Sequence, residues 1–188
     1  PKLCPQFHVA LQSGCDATLR RMNRHYTTAE FAALCQRLRQ LFPDCALTTD
    51  IMVGFPGETE EDFAQSVAFA QQIGFSRAHV FAYSRRPGTV ADKLPGQLSN
   101  AVKAQRSRRM IDACAASAAA YAAAYVGRTV EVLLETPAAD SGTERIMVGH
   151  TATYLTVHTV TDRPSGSLIA VRITGADGDT LQGVEIKE

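Results

Sequence analysis

Apolar positions fall into alternating strand-like runs and helix-like stripes as far as Gly127, and into short alternating runs alone beyond it. The run Phe7-His8-Val9-Ala10-Leu11 is short and partly β-branched, which predicts a strand closed by a turn at Gln12-Ser13-Gly14. Thr27-Thr28-Ala29-Glu30 has the capping-box pattern, a hydroxyl followed three residues on by a carboxylate. Phe31, Leu34, Leu38 and Leu41 follow at helical spacing and predict one apolar face, and Pro43 stops that helix. A second strand is predicted from about Ala46 to Phe55, with a tight turn at Gly54-Phe55-Pro56-Gly57. Thr59 to Asp62 repeats the capping box, and Phe63, Val67, Ala70 and Ile73 line the next helix up to Gly74. A third strand covers about Ala78 to Tyr83, with a loop at Arg85-Arg86-Pro87-Gly88. From Ser99 to Val126 breakers are almost absent and alanine abounds after Ala113, predicting one long helix that ends at Gly127.

Three strand–helix units in a row imply parallel strands joined by right-handed crossovers. The later segments Arg128–Glu135, Arg145–Val148, Tyr154–Val160, Leu168–Ile173 and Thr180–Ile186 are short, alternating and β-branched. Pro137, Gly142, Asp162-Arg163-Pro164 and Gly175-Ala176-Asp177-Gly178 separate them, so five strands in a small antiparallel β-barrel are predicted. The expected division is an α/β domain over residues 1–126 and a barrel over 127–188.

Composition changes this picture little. The 188 residues are 45% hydrophobic and 20% charged, enough apolar material for a core. No apolar run is long enough for a transmembrane helix and no signal peptide opens the chain, so a cytoplasmic protein with no membrane partner is expected. The first residue is Pro1 rather than methionine, which suggests an excised piece. Cys4, Cys15, Cys35, Cys45 and Cys114 are scattered without CxxC spacing and read as reduced thiols, not as a disulfide framework or a metal cage. Charge matters more. Residues 1–127 carry 14 Lys and Arg against 10 Asp and Glu, whereas residues 128–188 carry 5 against 9. The front part suits an anionic ligand and the tail as a whole does not.

Asp50 is the most informative single residue. It sits inside Thr48-Thr49-Asp50-Ile51-Met52-Val53, where a carboxylate is costly unless paired, and near the strand's C-terminal end, where ligands of parallel α/β folds gather. It is either an acceptor for ligand hydroxyls or a structural aspartate bonded to a neighbouring strand. Gln12 holds the equivalent place on the first strand; its amide suits a ribose or amide ligand, or simply meets water. Arg24, in Arg20-Arg21-Met22-Asn23-Arg24-His25-Tyr26, can clamp a carboxylate or belong to a solvated basic cluster. Gly54-Phe55-Pro56-Gly57-Glu58-Thr59 opens a helix but matches neither a Walker A loop nor GxGxxG, so a plain βα turn is the simpler reading. Arg85 and Arg86 follow the third strand and are placed to hold a phosphate backbone or to stand solvated. His8 and His79 alternate with apolar residues as core or edge positions; no zinc spacing and no GxSxG elbow occurs.

Three ordered stretches carry a resemblance. They are Gln12-Ser13-Gly14-x-Asp16-x-x-Leu19-x-x-Met22-Asn23-Arg24-x-Tyr26-Thr27; Thr49-Asp50-Ile51-x-Val53-Gly54-Phe55-Pro56-Gly57-Glu58-Thr59-x-x-Asp62-Phe63; and Phe81-x-Tyr83-Ser84-x-Arg86-Pro87-Gly88-Thr89. Together they resemble the radical-SAM methylthiotransferases. The segment from Gly127-Arg128-Thr129 onward is similar in place and length to that family's TRAM domain, a small OB-like RNA-binding β-barrel. The resemblance implies a partial, TIM-like half-barrel of about three βα units followed by TRAM. It implies S-adenosylmethionine as cofactor, and two [4Fe–4S] clusters in the full-length parent whose ligands, including CxxxCxxC, are absent from this sequence. This chain alone is therefore expected to be inactive.

By the same resemblance Gln12, Arg24 and Asp50 match positions that contact S-adenosylmethionine: Arg24 would meet the methionine carboxylate, and Gln12 and Asp50 ribose hydroxyls or the amino group. Phe81 and Tyr83 would flank the adenine. No residue is expected to be catalytic in its own right or to hold a metal, because the cofactor carries the chemistry. The implied partners are tRNA and the missing N-terminal part of the same polypeptide. Arg85, Arg86, Arg145, His150, Tyr154 and Arg172 are the candidate RNA contacts. Cys4-Pro5-x-Phe7-His8 and His79-Val80-Phe81-x-Tyr83-Ser84 look most like the branch acting on N6-threonylcarbamoyladenosine at position 37 of tRNA. The isopentenyladenosine and ribosomal-protein branches, a non-catalytic RNA-binding module and another radical-SAM enzyme are the alternatives. With its preceding strands missing, the first strand should present an open edge, which predicts self-association.

Overall fold

A computed structural model describes residues 3–138 and 145–187. The predicted turn residue Gly142 lies outside them. Contacts divide the chain into two compact units, one from Phe7 to Ser117 and one from Ala118 onward that also takes in the residues before Phe7. Among the described residues no helix is long and apolar enough to cross a membrane.

The first unit is built on a three-stranded sheet in the order β1-β2-β3, with β1 at Gln6–His8, β2 at Ala46–Val53 and β3 at Arg77–Ala82. β2 and β3 are parallel, with Asp50 opposite His79 and Met52 opposite Phe81. The first strand is shorter than predicted. After His8 the chain still runs beside β2, donating from Val9 N to Thr48 O and from Gln12 N to Asp50 O, but Leu11 N is taken by the Thr49 hydroxyl and the ladder breaks. A helix absent from the sequence reading, α1 at Asp16–Arg21, follows; its cap residue Cys15 makes no side-chain capping bond, so nothing local announced it.

Helices α2 (Thr28–Leu41) and α3 (Glu60–Ile73) both start on the two capping boxes, each satisfied in both directions by Thr27 with Glu30 and by Thr59 with Asp62. The apolar face of α2 differs from expectation. Phe31 and Cys35 are buried with Leu38 packed beside them, while Leu34 and Leu41 are exposed at 46% and 54%. The stripe that meets the sheet runs i, i+4, i+7, and the thiol of Cys35 fills the place of a larger side chain. Gly74 closes α3 at φ +66, a conformation that suits glycine. Leu47, Ile51 and Val53 of β2 enter a core with Leu11, Phe31, Phe63, Phe75 and Met110, the last from α4 (Asn100–Ala123). Fully burying each such side chain contributes roughly 1.5–3 kcal/mol.

The second unit is a closed barrel of β4 (Thr129–Pro137), β5 (Ile146–Thr151), β6 (Thr156–Val160), β7 (Leu168–Asp177) and β8 (Thr180–Glu185), in the order β4-β5-β6-β8-β7. One pairing departs from the antiparallel expectation: β6 and β8 are parallel, because the β7–β8 hairpin folds back so that its second strand closes the ring against β6. Val132, Leu134, Met147, Val157, Val171, Ile173 and Leu181 fill the interior, with Ala122 and Tyr125 packed against them. Gly149 and Gly183 are required by close approach: a Cβ at Gly149 would stand 2.3 Å from Leu133 O, and one at Gly183 2.4 Å from Val171 Cγ1.

Candidate functional site

The candidate side chains are divided between the two units. In the first, β2 is buried throughout its first half and alternates from Thr49 onward. Leu47, Thr49, Ile51 and Val53 are buried, whereas Asp50 and Met52 are only partly covered. Laterally paired residues of parallel strands share a face, so Asp50 and Met52 look out with His79 and Phe81. From β1, His8 completes this face: its Nδ1 lies 3.0 Å from Thr48 Oγ1 and its Nε2 3.5 Å from Asp50 Oδ2. Of the two expectations for His8 and His79, core or edge, the edge holds: both are exposed on the outer strands of the sheet. The Asp50 side chain is 35% exposed, open to a ligand and already oriented by an imidazole.

Gln12 is joined to Asp50 through the backbone. Its N–H donates to Asp50 O at 2.8 Å and its carbonyl accepts from Met52 N at 2.9 Å. Its φ is +64, and it is 8% exposed. A left-handed glutamine costs on the order of 1 kcal/mol, and such strain concentrates at functional sites. Gly14 follows because α3 leaves no room: a Cβ there would lie 2.8 Å from both Phe69 Cβ and Ser66 O, and Gly14 N donates to Ser66 Oγ.

Arg24 is exposed in the turn after α1 and makes no hydrogen bond or ion pair with Gln12 or Asp50 among the described residues. Two residues on, the Tyr26 hydroxyl donates to Leu11 O at 2.8 Å and ties this turn to the Gln12 segment. Burial pushes the Tyr26 phenol up and the Arg24 charge partly opposes it. Phe81 is 40% exposed and offers an open ring. Tyr83 does not: it is 7% exposed, packed edge-on to Phe55 with centroids 5.3 Å apart. Its hydroxyl is buried without a hydrogen-bond partner among the described residues. Arg85 is held by Asp92, with Nε 2.8 Å from Oδ1 and Nη2 3.0 Å from the backbone oxygen, and Arg86 is exposed. A cavity of about 520 Å³ opens at the end of β3 between Tyr83, Ser84, Arg85, Asn100 and Lys103; Lys103 Nζ donates to Tyr83 O.

Sequence reasoning missed the pair beneath this region. Glu58 and Arg106 are each 4% exposed, with Arg106 Nη1 2.7 Å from Glu58 Oε2 and 2.9 Å from Glu58 O. The same carboxylate oxygen accepts from Gly54 N at 2.7 Å. Burial pushes the Glu58 carboxyl up, opposed by the Gly54 amide and the Arg106 guanidinium. The pair pins α4 to the loop that leaves β2. Lys103, one turn earlier, lays its stem over Gly54, where a Cβ would stand 2.4 Å from Cγ. Glu58, the first of the acidic residues after Gly57, and an arginine on a buried helix face were visible signals, but 48 residues separate them.

On the barrel, Arg145 is exposed and donates to Asp162 O, and Arg172 is exposed opposite Thr129 and Val184. His150 and Tyr154 come together with ring centroids 5.4 Å apart. The arginines do not join that pair: no contact links them to it among the described residues. All five cysteines are free, and burial pushes the Cys35 and Cys114 thiols up to about 11. Among the described residues no cluster of three or more His, Cys, Asp or Glu is placed to hold a metal ion.

Comparison with known proteins adds two findings. Residues 2–70 match the radical SAM superfamily. The chain is also similar, over most of its length, to proteins named tRNA-2-methylthio-N(6)-dimethylallyladenosine synthase. Identity is 42% over 181 residues with that of Mycolicibacterium paratuberculosis, covering 94% of this chain and 35% of the relative. It is 42% over 192 residues with that of an Anaeromyxobacter species, covering 97% and 41%. With that of Clostridium botulinum it is 37% over 186 residues, covering 98% and 41%. The chain therefore spans about two-fifths or less of the length of these curated relatives.

Proposed function

We propose that this chain is the C-terminal portion of a radical-SAM tRNA methylthiotransferase, its first unit forming half of a TIM-like barrel and its second a TRAM-type RNA-binding domain. The observation that carries this is the span of the similarity, which runs through both units and covers 94–98% of the chain. The relatives are named for a dimethylallyl (isopentenyl) adenosine, which favours that nucleoside over the N6-threonylcarbamoyladenosine suggested by the Cys4 and His79 stretches. Nothing in the comparisons supports the threonylcarbamoyl branch.

The residues present fit S-adenosylmethionine in part. Asp50 offers a partly exposed, imidazole-oriented carboxylate for ribose hydroxyls or the amino group, and Gln12 stands beside it in a strained conformation. Phe81 offers an open ring to the adenine, while Tyr83, its ring covered, acts as backing. Arg24 has the charge for the methionine carboxylate and the exposure to reach it. When bound with its cluster, the cofactor supplies the methyl group and the hydrogen-abstracting fragment of the reaction; the chain binds and orients it. Arg85, Arg86, Arg145 and Arg172 would meet tRNA phosphates, Arg85 and Arg145 by leaving Asp92 and the Asp162 carbonyl. The missing N-terminal part would pair with the edge of β1 and bring the cluster ligands, so this chain alone is inactive and binds the cofactor weakly.

The test is nucleoside mass spectrometry of tRNA from a strain lacking the full-length gene. Loss of the methylthio-dimethylallyl nucleoside with accumulation of its unthiolated precursor supports the reading. Loss of the threonylcarbamoyl counterpart instead would return the substrate to that branch. Persistence of every methylthio-nucleoside would overturn the tRNA reading.

A further inference from the structure

Tyr154 breaks two rules at once. It is held at φ +66, a conformation that a bulky residue adopts at a cost, and its ring is 64% exposed. The β5–β6 turn does not need it there. Tyr154 N donates to Thr151 O, and the turn is anchored on either side by buried Thr153 and Leu155. Thr153 Oγ1 meets the Tyr125 and Thr151 hydroxyls, and Leu155 N meets Thr151 Oγ1. Glycine or asparagine would make the same turn without strain. Its buried neighbours fix the turn, and Tyr154 is lifted out of it.

What it is lifted toward is a second ring. His150 lies 5.4 Å away at 34°. Thr156 Oγ1 stands 3.3 Å from His150 Nε2, and Glu135 Oε1 lies 3.2 Å from Nδ1 without hydrogen-bond alignment. Leu133, 45% exposed, is paired directly opposite His150 across β4 and β5. The result is a small patch of π and apolar surface with the Glu135 carboxylate beside it. That charge repels phosphate, in line with the acidic balance of residues 128–188. An uncharged aromatic face is what such a patch accepts.

We infer that His150 and Tyr154 form a stacking platform for one unpaired RNA base, separate from the arginine contacts to phosphate. This rests on the reading of the barrel as RNA-binding and gives that reading its chemistry: recognition of single strands by stacking, tolerant of sequence and weakly sensitive to salt.

The experiment measures binding of the full chain to a short unstructured RNA and to the same RNA annealed to its complement, with Tyr154→Gly and Tyr154→Phe variants. Wild type and Tyr154→Phe should prefer the single strand. Tyr154→Gly should lose about tenfold or more in affinity for it, while its thermal midpoint stays equal or rises because glycine takes the left-handed backbone freely. A merely structural tyrosine would not give stability and binding opposite signs. Unchanged binding by Tyr154→Gly overturns the platform but leaves phosphate-mediated RNA binding standing, as does equal affinity for duplex and single strand. No RNA binding by wild type overturns the platform and the RNA reading of the barrel together, and the tRNA nucleoside test then judges the enzyme reading alone. If Tyr154→Gly leaves RNA binding intact but abolishes self-association, the patch is a protein contact and the inference is wrong.

Discussion

The two units solve the same problem in opposite ways. The barrel closes on itself: every strand has two neighbours and its interior is filled by aliphatic side chains. The sheet of the first unit ends in two edges, and the face that carries Asp50, His79 and Phe81 is left partly open toward the C-terminal ends of β2 and β3. Buried charge is distributed the same way. The first unit keeps both partners of an ion pair, Glu58 and Arg106, in its interior, whereas in the barrel the covered Glu185 carboxylate pairs with an exposed arginine, Arg163, and the buried polar residues among those described are threonines. A closed ring needs nothing further, and an open sheet with a partly open polar face is built to meet something else. On this account the partly open face is where the chemistry is organised, and the barrel is a self-sufficient recognition module.

The comparison is most sharply tested through the buried ion pair. Arg106→Ala strands the Glu58 carboxylate and should cost about 3–5 kcal/mol in denaturant unfolding of the first unit, while the Glu58→Gln, Arg106→Met double variant recovers much of that. A single-variant cost near zero would mean the pair is hydrated and the contrast between the units is false. Next in size, Leu134→Ala opens a cavity in the barrel and should cost about 2–5 kcal/mol. If the units are independent, that loss appears in one unfolding transition and not in the other.

How far the chain was legible follows the same divide. Wherever a signal was local, the residues told it: the Thr27 and Thr59 capping boxes, Gly74 and the breaker-free run of α4 all stand where the pattern put them. Long-range pairings were not legible. The parallel β6–β8 contact depends on how a hairpin folds back, and no spacing within either strand encodes it. Leu34 and Leu41 looked like core and are exposed because the sheet meets a neighbouring stripe of α2. In the candidate site, the sequence singled out Asp50 and Gln12 by their place along the strands, and the structure sets their backbones side by side, Gln12 N donating to Asp50 O. Their closest companion His8 was not legible as one, because its 3.5 Å approach to Asp50 arises only when β1 lies beside β2.

Two smaller effects refine the contrast. Thr59→Ala removes the cap of α3 and should cost about 1 kcal/mol, read by thermal unfolding. In the barrel, Glu185 accepts from Thr161 Oγ1 at 2.7 Å and from Arg163 Nε at 3.2 Å. The Thr161 hydrogen bond, helped by Arg163 against the cost of burial, holds its carboxyl below the ordinary glutamate value. A depressed folded value means stability that is present above the ordinary carboxylate range and lost as pH falls through the folded one. Glu185→Gln should therefore cost about 1 kcal/mol near neutrality and nothing once the wild-type group is protonated. A cost independent of pH would show that shape rather than charge is what Glu185 supplies. The exposed β1 edge adds a further expectation, self-association at tens of micromolar, which a monomeric mass in sedimentation at that concentration would contradict.

The claim that the partly open polar face of the sheet is the working face is tested most directly by returning the full-length gene, with Asp50→Ala alone, to the deletion strain and measuring its tRNA nucleosides. The account predicts that the protein accumulates normally while the methylthio-nucleoside is lost and its precursor builds up. A wild-type level of methylthio-nucleoside in the Asp50→Ala strain would contradict it.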